Sequence, residues 1–302
     1  MIDNKEAAPD SIPESKPFSW RKSWTAMDFI KKIIIQCILK PTGLARIGLK
    51  NSLDLRVTER EIRLEKLPVS FNGMRIIYMS DFHLGKCNDL PQVIAAKLKQ
   101  INADLCLLGG DYRFHFNDPI DPTLEHLKII IPHIQTPLGI YGVLGNHDCR
   151  EMAPKLESMG IKMLLNDSAS IEKKNQRIHI AGVEDPHNHK THDIKKALKG
   201  IPSEDFVIFL AHSPDLYEEA EEQNVKLYFC GHTHHGQIRF PILGAPIINS
   251  VVPRKYTQGF WSFKNLKGFT SPGVGSSLIQ VRYNCPPELT VFTLRSGERT
   301  EY

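Results

Sequence analysis

Between residues 74 and 230 one pattern recurs: a short apolar run rich in β-branched residues, a polar ending, and in most cases a stretch of helical periodicity. The runs lie at residues 74–80, 105–108, 140–144, 178–183, 206–211 and 225–230. Each has the length of a strand and is largely apolar, so each reads as a buried strand. Helical spacing appears at Leu90, Val93, Ile94, Ala96, Leu98 and Ile101, around residues 124–131, and around 153–159, where Gly160 closes the helix. An acidic helix at 216–222 precedes the last run. Strands alternating with helices predict an α/β domain with largely buried strands. Ahead of it, Val57, Ile62, Leu64, Leu67 and Val69 alternate loosely, as in an edge strand or hairpin. After Gly236 the helical signal ends, and short apolar runs broken by Gly and Pro continue to residue 294; these are expected to add strands to a second sheet. No repeat and no linker divides the body, and 302 residues with 41% hydrophobic content can bury a sizeable core.

Five of the runs end on residues that bind metals. The endings are Asp81-Phe82-His83, Gly109-Gly110-Asp111, Gly145-Asn146-His147-Asp148, His212 and Gly231-His232-Thr233-His234. In an open α/β sheet, ligands bind outside the carboxyl ends of the strands, so endings far apart in sequence can converge on one crevice. Taken singly, each is more often ordinary turn chemistry. All five in order, each at a strand end, point to a metal site. Two divalent ions about 3.5–4 Å apart need an anionic bridge, and Asp111, on a glycine-flanked turn, is the candidate. Carboxylate, imidazole and amide oxygen together suit Mn²⁺, Fe²⁺ or Zn²⁺, with Mg²⁺ a poorer match to so much histidine.

The combined set resembles the complete signature of the calcineurin-like metallophosphoesterases, over residues 74–294. The resemblance implies an α/β fold built as a four-layer α/β/β/α sandwich of two mixed sheets flanked by helices. It implies two divalent metal ions, Mn²⁺ favoured, one held by Asp81, His83, Asp111 and His234, the other by Asp111, Asn146, His212 and His232. It further implies a metal-activated hydroxide attacking phosphorus in line, with His147 beside the substrate phosphate as a non-ligand and Asp148 orienting it. Many members carry a second acidic residue shortly after the bridging aspartate, where this chain reads Tyr112-Arg113-Phe114-His115; Arg113 is either a contact for an anionic substrate group or a surface ion-pair partner.

The flanks of the last motif narrow the resemblance to a bacterial membrane-associated branch. They are the run from Cys230 to Gln237, Arg239-Phe240-Pro241, Val252-Pro253-Arg254-Lys255-Tyr256, Gly273-Val274-Gly275-Ser276-Ser277, and the segment from Arg282 to Leu289. That branch includes phosphodiesterases and the UDP-2,3-diacylglucosamine pyrophosphatases of lipid A synthesis. The implied substrate is a phosphodiester or pyrophosphate, nucleotide-linked and lipid-borne, with Arg239, Arg254 and Lys255 as candidates for extra phosphate charge. The rivals are a general cytosolic phosphodiesterase or phosphatase and a non-catalytic scaffold, the latter disfavoured by an intact ligand set.

The N-terminus bears on which of these applies. Residues 1–23 read as a disordered tail, residues 24–50 as an amphipathic segment, and residues 51–302 as the catalytic domain. Lys31, Lys32, Lys40, Arg46 and Lys50 stand near an apolar face containing Ile34, Ile35, Ile38, Leu44 and Ile47, which suits a peripheral membrane surface; the plain alternative is a helix packed on the domain. Pro41 stops the apolar run short of the roughly 20 residues that span a bilayer, and no signal-peptide cleavage site follows it. The expected location is the cytoplasmic side of the inner membrane, or the cytoplasm. A net charge of +4 without a long basic run gives no reason to expect nucleic acid as a partner.

Six scattered cysteines without a C-x-x-C pair read as reduced thiols. His187, His189 and His192 fall on or near a loop and are expected to be solvated rather than ligands, and His235 is expected beside the ligands or exposed.

Overall fold

The computed structural model describes residues 41–297. The chain divides into a unit at Met1–Ala45 and a unit at Arg46–Tyr302. Of the first, only residues 41–45 are described, so the expected tail at 1–23 and most of the amphipathic segment at 24–50 lie outside the described residues. Among the described residues no helix is long and apolar enough to cross a membrane.

The elements run α1 (Leu44–Ser52), β1 (Arg56–Leu64), β2 (Arg75–Met79), α2 (Leu90–Leu98), β3 (Leu105–Leu108), α3 (Asp121–Ile130), β4 (Ile140–Gly142), α4 (Ala153–Glu157), β5 (Ile161–Met163) and β6 (Asp167–Lys173). They continue β7 (Gln176–Gly182), α5 (Ile194–Ala197), β8 (Phe206–Leu210), α6 (Tyr217–Glu222), β9 (Leu227–Cys230), β10 (Gly259–Phe263), β11 (Leu266–Thr270) and β12 (Glu288–Ser296). One sheet has the order β1-β12-β2-β3-β4-β5, the other β10-β11-β9-β8-β7-β6. Both are mixed: β2 to β5 are parallel with β12 antiparallel to β2, and β7, β8, β9 and β11 are parallel with β6 and β10 antiparallel at the edges.

The apolar runs are explained by which layers the strands separate. In β2 and β3, Ile76, Tyr78, Leu105 and Leu107 face a core shared with Ile178, Ile208, Leu210 and Phe229 of the second sheet. Their neighbours Ile77, Met79, Cys106 and Leu108 face a second core with Ile94, Leu98, Leu124, Leu127 and Leu156 of α2, α3 and α4. A third core packs Ile194, Ala197 and Ala220 of α5 and α6 on Val207, Phe209 and Tyr228. The result is four layers, helices, sheet, sheet and helices, as the sequence led us to expect.

Two features depart from the sequence reading. The last apolar run was expected in the second sheet; β10 and β11 are there, but β12 enters the first, between β1 and β2. Alternation explains its tolerance of that central place, since Leu289 and Val291 join the helix-side core and Phe292 and Leu294 the inter-sheet core. β5 and β6 were not anticipated: β5 has three residues, and β6 is a polar edge strand that buries only Ala169 and Ile171. Among the described residues the cysteines are free thiols, and burial pushes those of Cys106 and Cys230 far above the usual range, so both are inert core groups.

Candidate active site

The carboxyl ends of β2, β3, β4, β8 and β9 bring together Asp81, His83, Asp111, Asn146, His147, His212, His232 and His234, all buried. The backbone is bent hard to do so. Asp81, His83, Asp111, His232 and His234 all have positive φ, between 46° and 69°, where non-glycine residues are uncommon and typically cost about 1 kcal/mol or more each. Strain on five polar residues at three strand endings, those of β2, β3 and β9, marks a site selected for chemistry rather than stability. A cavity of about 300 Å³ lined by Lys66, Lys226, Lys264 and Lys267 opens instead near the amino ends of β8 and β9, away from these residues.

The donor atoms fall into two clusters that meet at Asp111. In one, His83 Nε2 lies 3.0 Å from His234 Nε2, and His234 Nε2 lies 3.5 Å from Asp81 Oδ1. In the other, Asn146 Oδ1 lies 3.0 Å from His212 Nε2 and 2.9 Å from His232 Nδ1, and those two nitrogens are 3.3 Å apart. Asp111 Oδ2 stands 3.6 Å from His83 Nε2 and 3.3 Å from His212 Nε2. Edges of about 3 Å are what ions held at about 2.1 Å impose on their shells, so the residues present fit a pair of divalent ions.

The surrounding contacts aim these atoms. Gly109 O at 2.8 Å from His212 Nδ1 and Phe114 O at 3.3 Å from His83 Nδ1 can only accept, which fixes a ring proton on each Nδ1 and points both Nε2 atoms into the site. Asp81 accepts from Ser80 Oγ at 2.5 Å and from the His232 amide at 2.9 Å. Burial raises its pKa to about 6, and burial followed by the charge of Asp111 raises that of Asp148 to about 7. At His212 the burial penalty is overtaken by the Asp111 carboxylate, and its pKa rises to about 10; Asp111 is in turn held well below the carboxylate range despite burial. Burial lowers His83 to about 3 and keeps it neutral.

His147 is held against Asp111, its amide donating to Asp111 Oδ1 at 2.8 Å and its Nε2 4.0 Å from Asp111 Oδ2. Its orientation does not come from Asp148, contrary to the sequence expectation. Asp148 folds back on its own turn, accepting from the Gly145 amide at 2.8 Å and the Arg113 amide at 3.1 Å, while the His147 ring sits on Phe114 O at 2.8 Å. Arg113 is buried beneath that turn, donating from Nε to His147 O at 2.7 Å and from Nη1 to Asp118 O at 3.0 Å, so the guanidinium fixes the turn by its backbone. Arg254 and Lys255 are exposed, with Arg254 Nη1 3.2 Å from Ala245 O and Lys255 over the Tyr256 ring, and Arg239 donates to His235 O and Gln258 Oε1.

Several supporting residues escaped the sequence reading. Arg282 is fully buried, and its Nη2 gives two hydrogens to Pro272 O at 2.7 Å and Gly275 O at 2.5 Å while lying 3.2 Å from His234 Nδ1. Burial, then His83 and Arg282, hold His234 neutral, as a ligand must be. His187 was expected to be solvated, but its ring lies 4.1 Å from that of His232, with Nδ1 2.6 Å from Asp215 Oδ2. His189 Nε2 lies 3.2 Å from Asn146 O. His235 is part-buried, with Nε2 near Thr270 O and the Gly259 amide. Arg282 could have been noticed as a lone arginine in a Gly, Ser and Pro-rich stretch; the loop histidines were noted, but nothing in the sequence placed their rings against His232 and Asn146.

Gly231 shows how tightly the last motif is packed. A Cβ there would lie 2.2 Å from Asp81 Oδ2 and 2.3 Å from Ser80 Oγ. Gly231→Ala is therefore expected to cost about 2 kcal/mol of stability and to lower the metal content by displacing Asp81, read by thermal unfolding and by metal analysis of the dialysed protein.

The family model for calcineurin-like phosphoesterases matches residues 74–236, more than half of the chain. The chain belongs to the calcineurin-like phosphoesterases. It is a metal-dependent phosphoesterase, and the convergent donors described above are consistent with that chemistry. Among curated relatives, the uncharacterized metallophosphoesterase YkuE of Bacillus subtilis is 28% identical over 80% of this chain and 86% of its own length. Phosphodiesterase YaeI of Escherichia coli is 29% identical over 73% of this chain and 82% of its length. A transmembrane protein with metallophosphoesterase domain from Danio rerio is 30% identical over 84% of this phosphoesterase, which spans 61% of that longer protein.

Proposed function

We propose that Asp81, His83, Asp111 and His234 would hold one divalent ion and Asp111, Asn146, His212 and His232 a second, Mn²⁺ favoured, and that the enzyme so loaded hydrolyses a phosphodiester or pyrophosphate bond. The observation that carries this reading is Asp111 Oδ2, within 3.6 Å of one imidazole cluster and 3.3 Å of the other. Bound divalent ions supply a nucleophile at neutral pH and offset charge on the phosphoryl oxygens. The chain contributes position and protons. With Nδ1 committed to Phe114 O, His147 turns Nε2 toward the site, where it binds the phosphate and carries a proton to the leaving oxygen. Arg254 and Lys255, both exposed, are the proposed contacts for a further phosphate, together with Arg239.

The favoured substrate is UDP-2,3-diacylglucosamine, presented at a membrane surface on the cytoplasmic side. Two observations support a lipid-linked substrate: the exposed apolar segment carrying Ile242 and Leu243, and a relative described as a transmembrane protein. The test is direct. Purified protein with Mn²⁺ should release UMP from UDP-2,3-diacylglucosamine at a rate well above that for a generic aryl phosphodiester. Good hydrolysis of the aryl diester with no UMP release would sink the lipid assignment in favour of a general phosphodiesterase.

A further inference from the structure

From residue 223 to residue 287 the sequence contains no Asp or Glu, yet it includes Arg239, Arg254 and Lys255. Within that stretch the chain puts apolar side chains into water. Ile242 is fully exposed, Leu243, Ile247 and Val251 are 81%, 75% and 79% exposed, and Phe240 is 53% exposed. The tip is a tight turn in which Phe240 and Gly244 exchange backbone hydrogen bonds of 2.8 and 3.0 Å. Ile242 occupies it at φ 72°, a left-handed conformation that β-branched residues rarely take. Single exposed apolar residues need no partner, but five in one short segment form a patch that does.

The segment is tied to the active site. Asn249 Nδ2 lies 3.3 Å from His232 Nε2, and Gly236, just past the metal-binding histidines, packs so closely on Ala245 that a Cβ would approach it at 2.3 Å. On its other flank, residues 281–283 join it to α1. Tyr283 O accepts from the Arg239 amide at 3.0 Å, while the Arg282 amide donates to Gly48 O at 3.0 Å and Asn51 Nδ2 donates to Arg282 O at 3.0 Å. α1 adds Ile47 and Leu49, both exposed, with Arg46 and Lys50 and no acidic residue.

We infer that residues 240–251, together with Ile47 of α1, dock the enzyme on an anionic lipid bilayer. The apolar side chains enter the boundary between headgroups and acyl chains, and Arg46, Lys50, Arg254 and Lys255 meet lipid phosphates. Charge selects the occupant: two segments that carry Arg46, Lys50, Arg254 and Lys255 and no Asp or Glu of their own repel a second copy and attract an anionic membrane. Docked this way, the metal-binding residues lie next to the lipid surface. The inference deepens the lipid-linked reading and rests on it for its purpose, but it is tested without any substrate.

The full chain is mixed with vesicles of phosphatidylcholine alone or with added phosphatidylglycerol, and bound protein is measured by co-sedimentation. Binding should require phosphatidylglycerol and weaken with salt. The double substitution Ile242→Ser with Leu243→Ser should weaken it about a hundredfold, since two large side chains no longer leave water. Turnover of a soluble aryl diester by that variant should match the parent chain, which establishes that the fold is intact. A second pair, Ile247→Ser with Val251→Ser, should act in the same direction. Unchanged binding by both pairs, equal binding to neutral vesicles, or loss of a chain dimer instead of loss of vesicle binding would each overturn the inference. Vesicle binding that holds while UMP release fails would leave the docking surface standing and remove only the substrate assignment.

Discussion

Asp111→Asn is expected to lower turnover of any phosphodiester substrate by roughly three orders of magnitude or more and to remove metal from both clusters at once. The substitution keeps size and shape, removes the negative charge and turns one acceptor oxygen into an amide donor. Oδ2 lies 3.6 Å from His83 Nε2 and 3.3 Å from His212 Nε2, so its charge serves both proposed ions. Changing Asp81 should deplete mainly the cluster of His83 and His234. Metal analysis after dialysis separates these outcomes, and full metal content with full activity in Asp111→Asn would refute the bridging role. The same carboxylate sets the pH dependence of metal uptake. In the metal-free chain His212 has its pKa raised to about 10 by Asp111, so at neutral pH it is protonated and an incoming ion must displace that proton. Affinity should therefore rise with pH up to about 10. The pair stabilises the metal-free fold in the opposite sense. On the His212 side its contribution is complete below 6.5, the ordinary histidine value, and is lost as pH rises through about 10.

Why the donors were legible while their supports were not follows from how each is encoded. Asp81, Asp111, Asn146, His212 and His232 end apolar runs, and the topology of a parallel α/β sheet gathers strand endings without further information. The residues that aim them act through backbone carbonyls, such as Gly109 O for His212 and Phe114 O for His83 and His147, and a carbonyl leaves no mark in a sequence. Asp148 misled for a related reason. Adjacent to His147, it seemed its natural partner, but the turn sends its carboxylate back to the Gly145 and Arg113 amides. The sheet order was hidden in the same way: the largely apolar run of β12 announces a strand buried on both faces, and nothing in it names β1 and β2 as neighbours.

His147→Ala should keep both ions and lose activity by about 10²–10⁴-fold, the range for removing a positioned proton donor. None of the atoms in the two donor clusters belongs to its ring, and the backbone bond from its amide to Asp111 Oδ1 at 2.8 Å survives the substitution. The loss should fall on kcat for substrates with poor leaving groups and shrink for an activated aryl diester, whose leaving oxygen needs no proton. Arg113→Lys makes the complementary change. It retains the charge but removes the fork that spans His147 O at 2.7 Å and Asp118 O at 3.0 Å, so the imidazole should lose its fixed position while staying chemically intact. A proton-donor role for His147 requires Arg113→Lys to show a weaker version of the same leaving-group dependence with unchanged metal content. Equal losses on good and poor leaving groups in both variants would instead assign His147 to binding the phosphate alone.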